Sequence, residues 1–248
     1  MKKYFVVTDV HSYFTLMKDA LEQAGYDKAN PNHIFVSCGD LLDRGDESAA
    51  ILTFVNSIPK SRKILLKGNH EDLLERCLDE ESFHSNDLHN GTLKTIYNLA
   101  GKTEFEYFIN SDTKNVFSTV KAYKPLYKYL NSLQDYAEVG NYMFVHGWFP
   151  LCQDWSKAAW EKARWMNGME AWKKGEVLKG KTVVCGHWHC SWGWSHIDQA
   201  RPEFPPKNRK NWEKSFEPYI KEGIIALDAC TTYSGICNCI IIEEGKVS

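Results

Sequence analysis

The chain has 248 residues, 43% hydrophobic and 25% charged, with 16 Gly and 8 Pro. That balance excludes a disordered, collagen-like or linker-dominated polypeptide, and the length suits one large domain or a domain carrying an insertion. Thirty Lys and Arg against 32 Asp and Glu leave a net charge of −2, so no global basic field exists to coat nucleic acid by counterion release.

Met1-Lys2-Lys3 precedes the apolar run Tyr4–Val7, which Thr8 and Asp9 interrupt far short of a signal-peptide core. No run reaches the ~20 apolar residues that a membrane helix needs. The eight cysteines include no C-x-x-C pair, so free, mostly buried thiols in a reducing, cytoplasmic setting are expected. Tyr4–Val7 itself reads as a buried strand. Helical spacing comes next in Leu16, Ala20, Leu21 and Ala24, closed by Gly25; then come a strand at Ile34–Val36, a helix through Ala49, Ile51, Leu52 and Val55 with Pro59 beyond it, and a strand at Ile64–Leu66. Strand, helix, strand, helix, strand predicts an α/β sheet. Residues 72–140 turn aromatic and helical (Leu73, Leu74, Leu78; Tyr123, Leu126, Tyr127, Leu130) and read as a helical cap inserted in that core. Strands are expected again at Tyr142–Val145, Thr182–Cys185, Ile224–Leu227 and Cys237–Ile242, with a helical stretch about Trp155–Lys174. Residues 199–218 hold four of the eight prolines and five basic side chains, and read as a long basic loop, either solvated or a lid over substrate.

The segments just after the strands carry the chemistry. Asp9-Val10-His11 comes after the first strand, Gly39-Asp40-Leu41-Leu42-Asp43-Arg44-Gly45 after the second, and Gly68-Asn69-His70-Glu71 after the third; later strands deliver Val145-His146-Gly147 and Gly186-His187-Trp188-His189. The carboxyl ends of strands in an open α/β sheet share one crevice, so these segments converge. In Asp9-x-His11 and His187-x-His189, residues two apart on extended chain project to the same side. Carboxylates, an amide oxygen and imidazoles, with no thiolate required, suit Mn, Fe, Zn or Mg. Glu71 is expected in the first turn of a helix, where a carboxylate meets the positive end of the dipole.

These motifs, in this order, resemble the calcineurin-like metallophosphoesterase superfamily. The G-D-x-x-D-R-G and G-N-H-E strings are similar to its phosphoprotein phosphatase branch, which includes bacterial Ser/Thr phosphatases and diadenosine tetraphosphatases. His89-Asn90-Gly91-Thr92-Leu93 resembles an Asn-Gly-Gly…Thr stretch of the bacterial members. The resemblance implies an α/β sandwich, two sheets flanked by helices, as a single domain over 1–248 with the helical cap at 72–140. It implies two divalent ions, Mn first, with Asp9, His11 and Asp40 on one and bridging Asp40, Asn69, His146 and His187 on the other. His70 would be the general acid, oriented by Asp43, and Arg44 would bind phosphoryl oxygens. The branch lacks a second histidine after G-H, whereas the wider superfamily has G-H-x-H, in which that histidine completes the first metal; His189 fits the wider pattern. A second phosphate-binding arginine lies in the family between the H-G and G-H motifs. Arg164 takes that place, with stacking on an indole or pairing with Glu161 as its alternative.

The family's G-D-x-H-G is here Thr8-Asp9-Val10-His11-Ser12, and its H-G-G is His146-Gly147-Trp148. The function implied is hydrolysis of a phosphate ester carried by a phosphoprotein, a nucleotide or a small molecule. Small phosphomonoesters, cyclic nucleotides and a non-catalytic metal-binding scaffold are the alternatives. All nine tryptophans lie after Gly147, serving either packing or stacking on a nucleobase or aromatic ester. Cys185 and Cys190 flank the last histidine pair and read as buried and neutral.

Overall fold

A computed structural model describes residues 1–109, 113–195, 204–208 and 211–243. Strand β1 (Lys3–Val7) runs parallel to β2 (His33–Ser37), Phe5 opposite Phe35, and β2 runs parallel to β3 (Lys63–Leu65). Parallel neighbours need crossovers, which α1 (Phe14–Gln23) and α2 (Ser48–Ser57) supply. Helices α3 (Asn69–Glu80), α4 (Ser85–Asn90), α5 (Thr92–Leu99), α6 (Phe105–Ile109), α7 (Thr113–Lys121) and α8 (Lys124–Leu130) come next. A second sheet takes β4 (Ala137–Val139), β5 (Tyr142–Phe144), β6 (Thr182–Cys185), β7 (Tyr219–Lys221) and β8 (Ile224–Ala226) in the order β4-β5-β6-β8-β7. Helices α9 (Lys157–Ala163) and α10 (Gly168–Lys173) connect β5 to β6, and α11 (Cys190–Trp194) lies after β6. After α12 (Thr231–Ser234) the chain returns to the first sheet as β9 (Ile240–Glu243), antiparallel to β1.

Period-two alternation sorts each strand between two layers. Tyr4, Val6, Ile34 and Val36 of the first sheet meet Phe144, Val184 and Leu227 of the second in a core between the sheets. The intervening residues face outward. Phe5, Val7 and Phe35 pack under a helical layer with Leu52, Leu74, Ile96, Phe117 and Leu126. Met143, Val183, Cys185 and Ala226 pack under Trp148, Trp160 and Met169. The result is two sheets face to face with helices on both outer sides. Among the described residues no helix is long and apolar enough to cross a membrane.

Every expected strand is present, and β4 and β7 are additional. Each is a three-residue arm joined to its neighbour by a two-residue turn, Gly140-Asn141 or Glu222-Gly223, whose glycines have φ of 57° and 83°. Ala137-Glu138-Val139 and Tyr219-Ile220-Lys221 each include a charged residue, so neither reads as the apolar run that marks β5 or β8. The stretch Trp155–Lys174 is two helices, broken at 164–167, where the Asn167 side chain accepts the Glu170 N–H at 3.1 Å and starts α10. Cys237 and Cys239 precede β9 and pack half-buried against the outer layer of the first sheet. Of the 199–218 loop, 199–203 and 209–210 lie outside the described residues, Arg201, Arg209 and Lys210 included; Trp212–Phe216 forms a 3-10 turn.

Phe144 is fully buried between the sheets. Phe144→Ala is therefore expected to lower unfolding free energy by about 3–5 kcal/mol, measured by urea denaturation; a loss under ~1 kcal/mol would mean that this interface is not a packed core.

Candidate metal centre

Within each sheet β1, β2 and β3, and β5, β6 and β8, run parallel, so their carboxyl ends open on one side. One cleft there is lined by Asp9, His11, Asp40, Arg44, Asn69, His70, Asn90, Trp165, His187, His189, Asp228, Cys230, Thr231 and Thr232. The loops that carry these groups are zipped together. Asp9 N–H donates to Gly39 C=O at 3.2 Å, His11 N–H to Asp40 C=O at 3.0 Å, and Gly186 N–H to His146 C=O at 2.7 Å. The sheets are joined across the cleft by His187 N–H donating to Asp9 Oδ2 at 2.9 Å and by Thr231 Oγ1 donating to Asp9 C=O at 3.0 Å. Asp9, His11, Ser12, Asp40, Asp43, Arg44 and His187 all have φ between 48° and 71°, a left-handed conformation that costs non-glycine residues of order 1–3 kcal/mol each and gathers at functional sites. Glycine is required at Gly68 and Gly186, where a Cβ would run into the Asp40 and Asp9 carboxylates respectively.

Asp40 sits at the centre. Its Oδ1 accepts the His70 N–H at 3.0 Å, and its Oδ2 lies 3.4 Å from His146 Nε2 and 3.8 Å from His70 Nε2. His146, itself buried, places Nδ1 2.8 Å from Cys38 C=O and Nε2 2.8 Å from Asn69 Oδ1. His70 Nδ1 is 2.8 Å from Asp43 Oδ2, which also accepts Thr92 Oγ1 at 2.6 Å; Arg44 Nη2 lies 3.4 Å from His70 Nε2. His11 Nδ1 bonds Leu42 C=O at 3.1 Å. Behind these, Glu71 takes the amides of Gly68 (2.8 Å), Asp40 (3.0 Å) and Leu41 (3.1 Å) and the Tyr129 hydroxyl (2.7 Å).

Burial, and then Asp228, push the Asp9 carboxyl up to about 7; burial alone is the main cause that lifts Asp228 to about 6. Burial and the nearby Asp40 raise Glu71 to about 7. Asp40 itself goes the other way. Burial would raise it, but His146 and His70 hold it well below the usual carboxylate range. Burial opposes charge on His146 too, yet Asp40 lifts it to about 10, whereas burial and His146 press His187 down to about 3.

This donor set fits divalent cations. Ligand atoms of His11, Asp40 and His70, and of Asp40, His146 and His187, form two triads, each within 4.8 Å, that share Asp40. A cation in each would offset the mutual repulsion of Asp9, Asp40 and Asp228, and carboxylate, imidazole and amide donors suit Mn, Fe, Zn or Mg. Thiolates have no part in it: burial pushes the Cys185 and Cys190 thiols up, and Cys190 Sγ donates to Ala226 C=O at 3.1 Å.

Residues 2–218 match the calcineurin-like phosphoesterase model. The chain belongs to the calcineurin-like phosphoesterase family. Curated relatives include symmetrical bis(5'-nucleosyl)-tetraphosphatases of Psychromonas ingrahamii, 40% identical over 67 residues (27% of this chain, 23% of that protein), and of Proteus mirabilis, 34% identical over 67 residues with the same coverage. The matched segment thus spans about a quarter of the length of those relatives. Among solved structures, one described as a candidate diadenosine tetraphosphatase superposes with a TM-score of 0.56 at 14% identity, covering 99% of this chain and 91% of that one. A cold-active protein-tyrosine phosphatase of a Shewanella species superposes with a TM-score of 0.51 at 15% identity, covering 98% and 76%. At such identities the likeness is one of fold.

In this family member the cleft gathers Asp9, His11, Asp40, Arg44, Asn69, His70, His187 and His189, with His146 and Asp43 buried directly behind them. Asp9 Oδ2 accepts the Thr8 hydroxyl at 2.5 Å as well as the His187 N–H, and His189 stands on the rim with Nε2 3.7 Å from Asp228 Oδ2. Arg164 is not brought to the cleft. Its Nε and Nη2 grip Asp72 at 2.6 and 3.0 Å and its Nη1 holds Asp135 at 2.7 Å, so its guanidinium is committed to a buried ion-pair network. Glu161, offered as its partner from sequence, is not the one it takes. Asp228 and Glu71 are the site carboxylates that sequence reasoning left without a place in the cleft. Asp228 comes directly after the strand at Ile224–Leu227, so its position at one more strand end was the available signal. His89–Leu93 buttresses the site: Asn90 lines it, Gly91 packs on the Arg44 backbone and Thr92 holds Asp43.

Glu71→Gln turns an NH₂ group toward two of the four donors that the carboxylate accepts. An unpaired buried donor costs about 1–3 kcal/mol, so the variant should unfold in urea at a correspondingly lower free energy, and Tyr129→Phe should lose less. Identical midpoints for wild type and Glu71→Gln would show that this carboxylate does not hold the loops.

Proposed function

We propose that the chain hydrolyses phosphate esters with two divalent cations, Mn first, held by Asp9, His11, Asp40 and His189 on one side and by Asp40, Asn69, His146 and His187 on the other. The observation that carries this reading is the sharing of Asp40 by two triads of donor atoms, Asp40–His146–His187 on one side and His11–Asp40 with His70 on the other, where His70 stands beside the ion as proton donor rather than ligand. Such a pair of cations supplies a water-derived nucleophile at neutral pH and neutralises phosphoryl charge. The protein's own groups do the rest. Arg44 reaches the cleft from the loop after β2 and offers a bidentate fork to the phosphoryl oxygens, while the Asn69 amide helps to orient them. His70 presents Nε2 to the cleft and gives its proton to the departing oxygen; the 2.8 Å contact of Nδ1 with Asp43 supports that orientation, and Thr92 steadies Asp43 in turn. Arg164 acts outside the chemistry, clamping the α9–α10 break to α3 through Asp72.

Dinucleoside polyphosphates head the substrates to test, because the curated relatives bear that name; phosphoproteins and small phosphomonoesters come next. A panel of diadenosine tetraphosphate, a phosphopeptide, p-nitrophenyl phosphate and its bis ester, assayed with Mn, decides among them. A catalytically silent scaffold would hydrolyse none.

Chelation with EDTA is expected to abolish turnover and Mn to restore it. Asp40→Asn should lose both ions by metal analysis together with most activity; full occupancy with near wild-type turnover would remove the bridging assignment.

General acid catalysis contributes about 10²–10⁴-fold, in proportion to the basicity of the leaving oxygen. His70→Asn should therefore cost little with p-nitrophenyl phosphate and far more with phenyl or alkyl phosphates, with Asp43→Asn showing the same trend less steeply. An equal loss of kcat/KM for every ester would take His70 out of the acid role.

A further inference from the structure

The cleft floor is polar, but a large apolar ring stands on its rim. Trp165 lines the cleft while remaining 48% exposed, and among the described residues it is the one aromatic side chain besides the histidines that does so. Its neighbours Trp148 and Trp160 are buried in the outer layer of the second sheet. Packing therefore explains them and leaves Trp165 unaccounted for.

The backbone beneath it is held on both sides. Arg164 before it is buried and grips Asp72 and Asp135, and Met166 after it donates its N–H to Ala163 C=O at 3.1 Å. The indole lies 5.7 Å from the His187 ring with the planes at 87°, so it stands upright against a residue at the centre of the cleft. A rigid indole of this kind loses little freedom on contact, and a π-face stacks on any flat ring with little regard for its substituents.

We propose that Trp165 is a specificity-determining residue whose exposed indole stacks on a flat aromatic or heteroaromatic ring in the part of the substrate beyond the phosphoryl group. The assignment rests on the phosphoester reading of the cleft. It makes the protein favour esters of aromatic alcohols or nucleosides over aliphatic esters of equal size and reactivity.

Benzyl phosphate and cyclohexylmethyl phosphate test it, because both leave as primary alkoxides of similar bulk and differ in the flatness of the ring. The Mn-loaded wild type should prefer the benzyl ester by about tenfold in kcat/KM, mostly through KM, since aromatic stacking on a base is worth about that much. Trp165→Leu should erase the preference by lowering kcat/KM for the benzyl ester toward that of the cyclohexylmethyl ester, mainly through KM, and Trp165→Phe should keep most of it. Comparing adenosine 5'-monophosphate with ribose 5-phosphate distinguishes a purine from a phenyl ring as the favoured partner. Calorimetry with benzylphosphonate and cyclohexylmethylphosphonate, which do not turn over, should give the same ratio as a binding preference. If the phosphonates show it and no ester is hydrolysed, Trp165 keeps its assignment and the hydrolase reading falls. The proposal is overturned if the wild type hydrolyses both esters equally well. It is overturned also if Trp165→Leu lowers both equally in kcat, which would make the residue a prop for His187.

Discussion

The geometry of the cleft depends on one buried carboxylate that contacts none of its open space. Glu71 is 1% exposed and receives three backbone amides and a tyrosine hydroxyl. Its position in the first turn of α3 adds the favourable end of the helix dipole. Those four bonds tie the loop after β2 to the loop after β3 and both to α8. Asp40 is placed as a consequence, and only then can its carboxylate lie within reach of His70 and His146. Glycine at position 68 is the matching requirement, since any side chain there would occupy the space of the Asp40 carboxylate.

Convergence of strand ends exacts conformational strain. Eight residues in the loops around the cleft, Cys230 among them, adopt positive φ without being glycine, and a chain left to itself would relax them. The cross-loop backbone bonds from Asp9, His11, Ser12 and Gly45 over-determine these conformations, so the strained arrangement persists and side chains that repel one another stay assembled. Burial first, with repulsion among Asp9, Asp40 and Asp228 adding to it, raises two of the three.

The departures from the family's glycines are absorbed away from the open cleft. Thr8 turns its hydroxyl onto Asp9, Ser12 pairs with Ser48 at 2.8 Å, and Trp148 is buried under the second sheet with its indole N–H on Glu176 C=O at 3.2 Å. Substitution of small residues by larger ones therefore leaves the cleft open and stiffens its wall. The same outer layer carries the Arg164 network, which joins α3, the start of β4 and the break between α9 and α10, and so relates the first-sheet half of the cleft to the second.

The strands, the first two crossover helices and the motif residues after each strand were legible in the sequence, because apolar alternation and glycine-flanked polar strings are local signals. Asp9, Asp40, Asn69, His70 and His187 could be named as neighbours from the rule that parallel strands open at their carboxyl ends. Local signals ended there. The three-residue arms β4 and β7 each include a charged residue and offer no apolar run, and the break at 164–167 is hidden in a stretch that reads as one helix. Arg164 looks the same in sequence whether it faces a phosphate or a half-buried aspartate; its commitment to Asp72 and Asp135 depends on partners 92 and 29 residues away. Glu71 read as a helix-start carboxylate, and its role as acceptor for the Asp40 loop required the tertiary contact. Which polar groups meet is settled by burial: a carboxylate removed from water must find every donor within reach, and that search is completed only when distant segments pack.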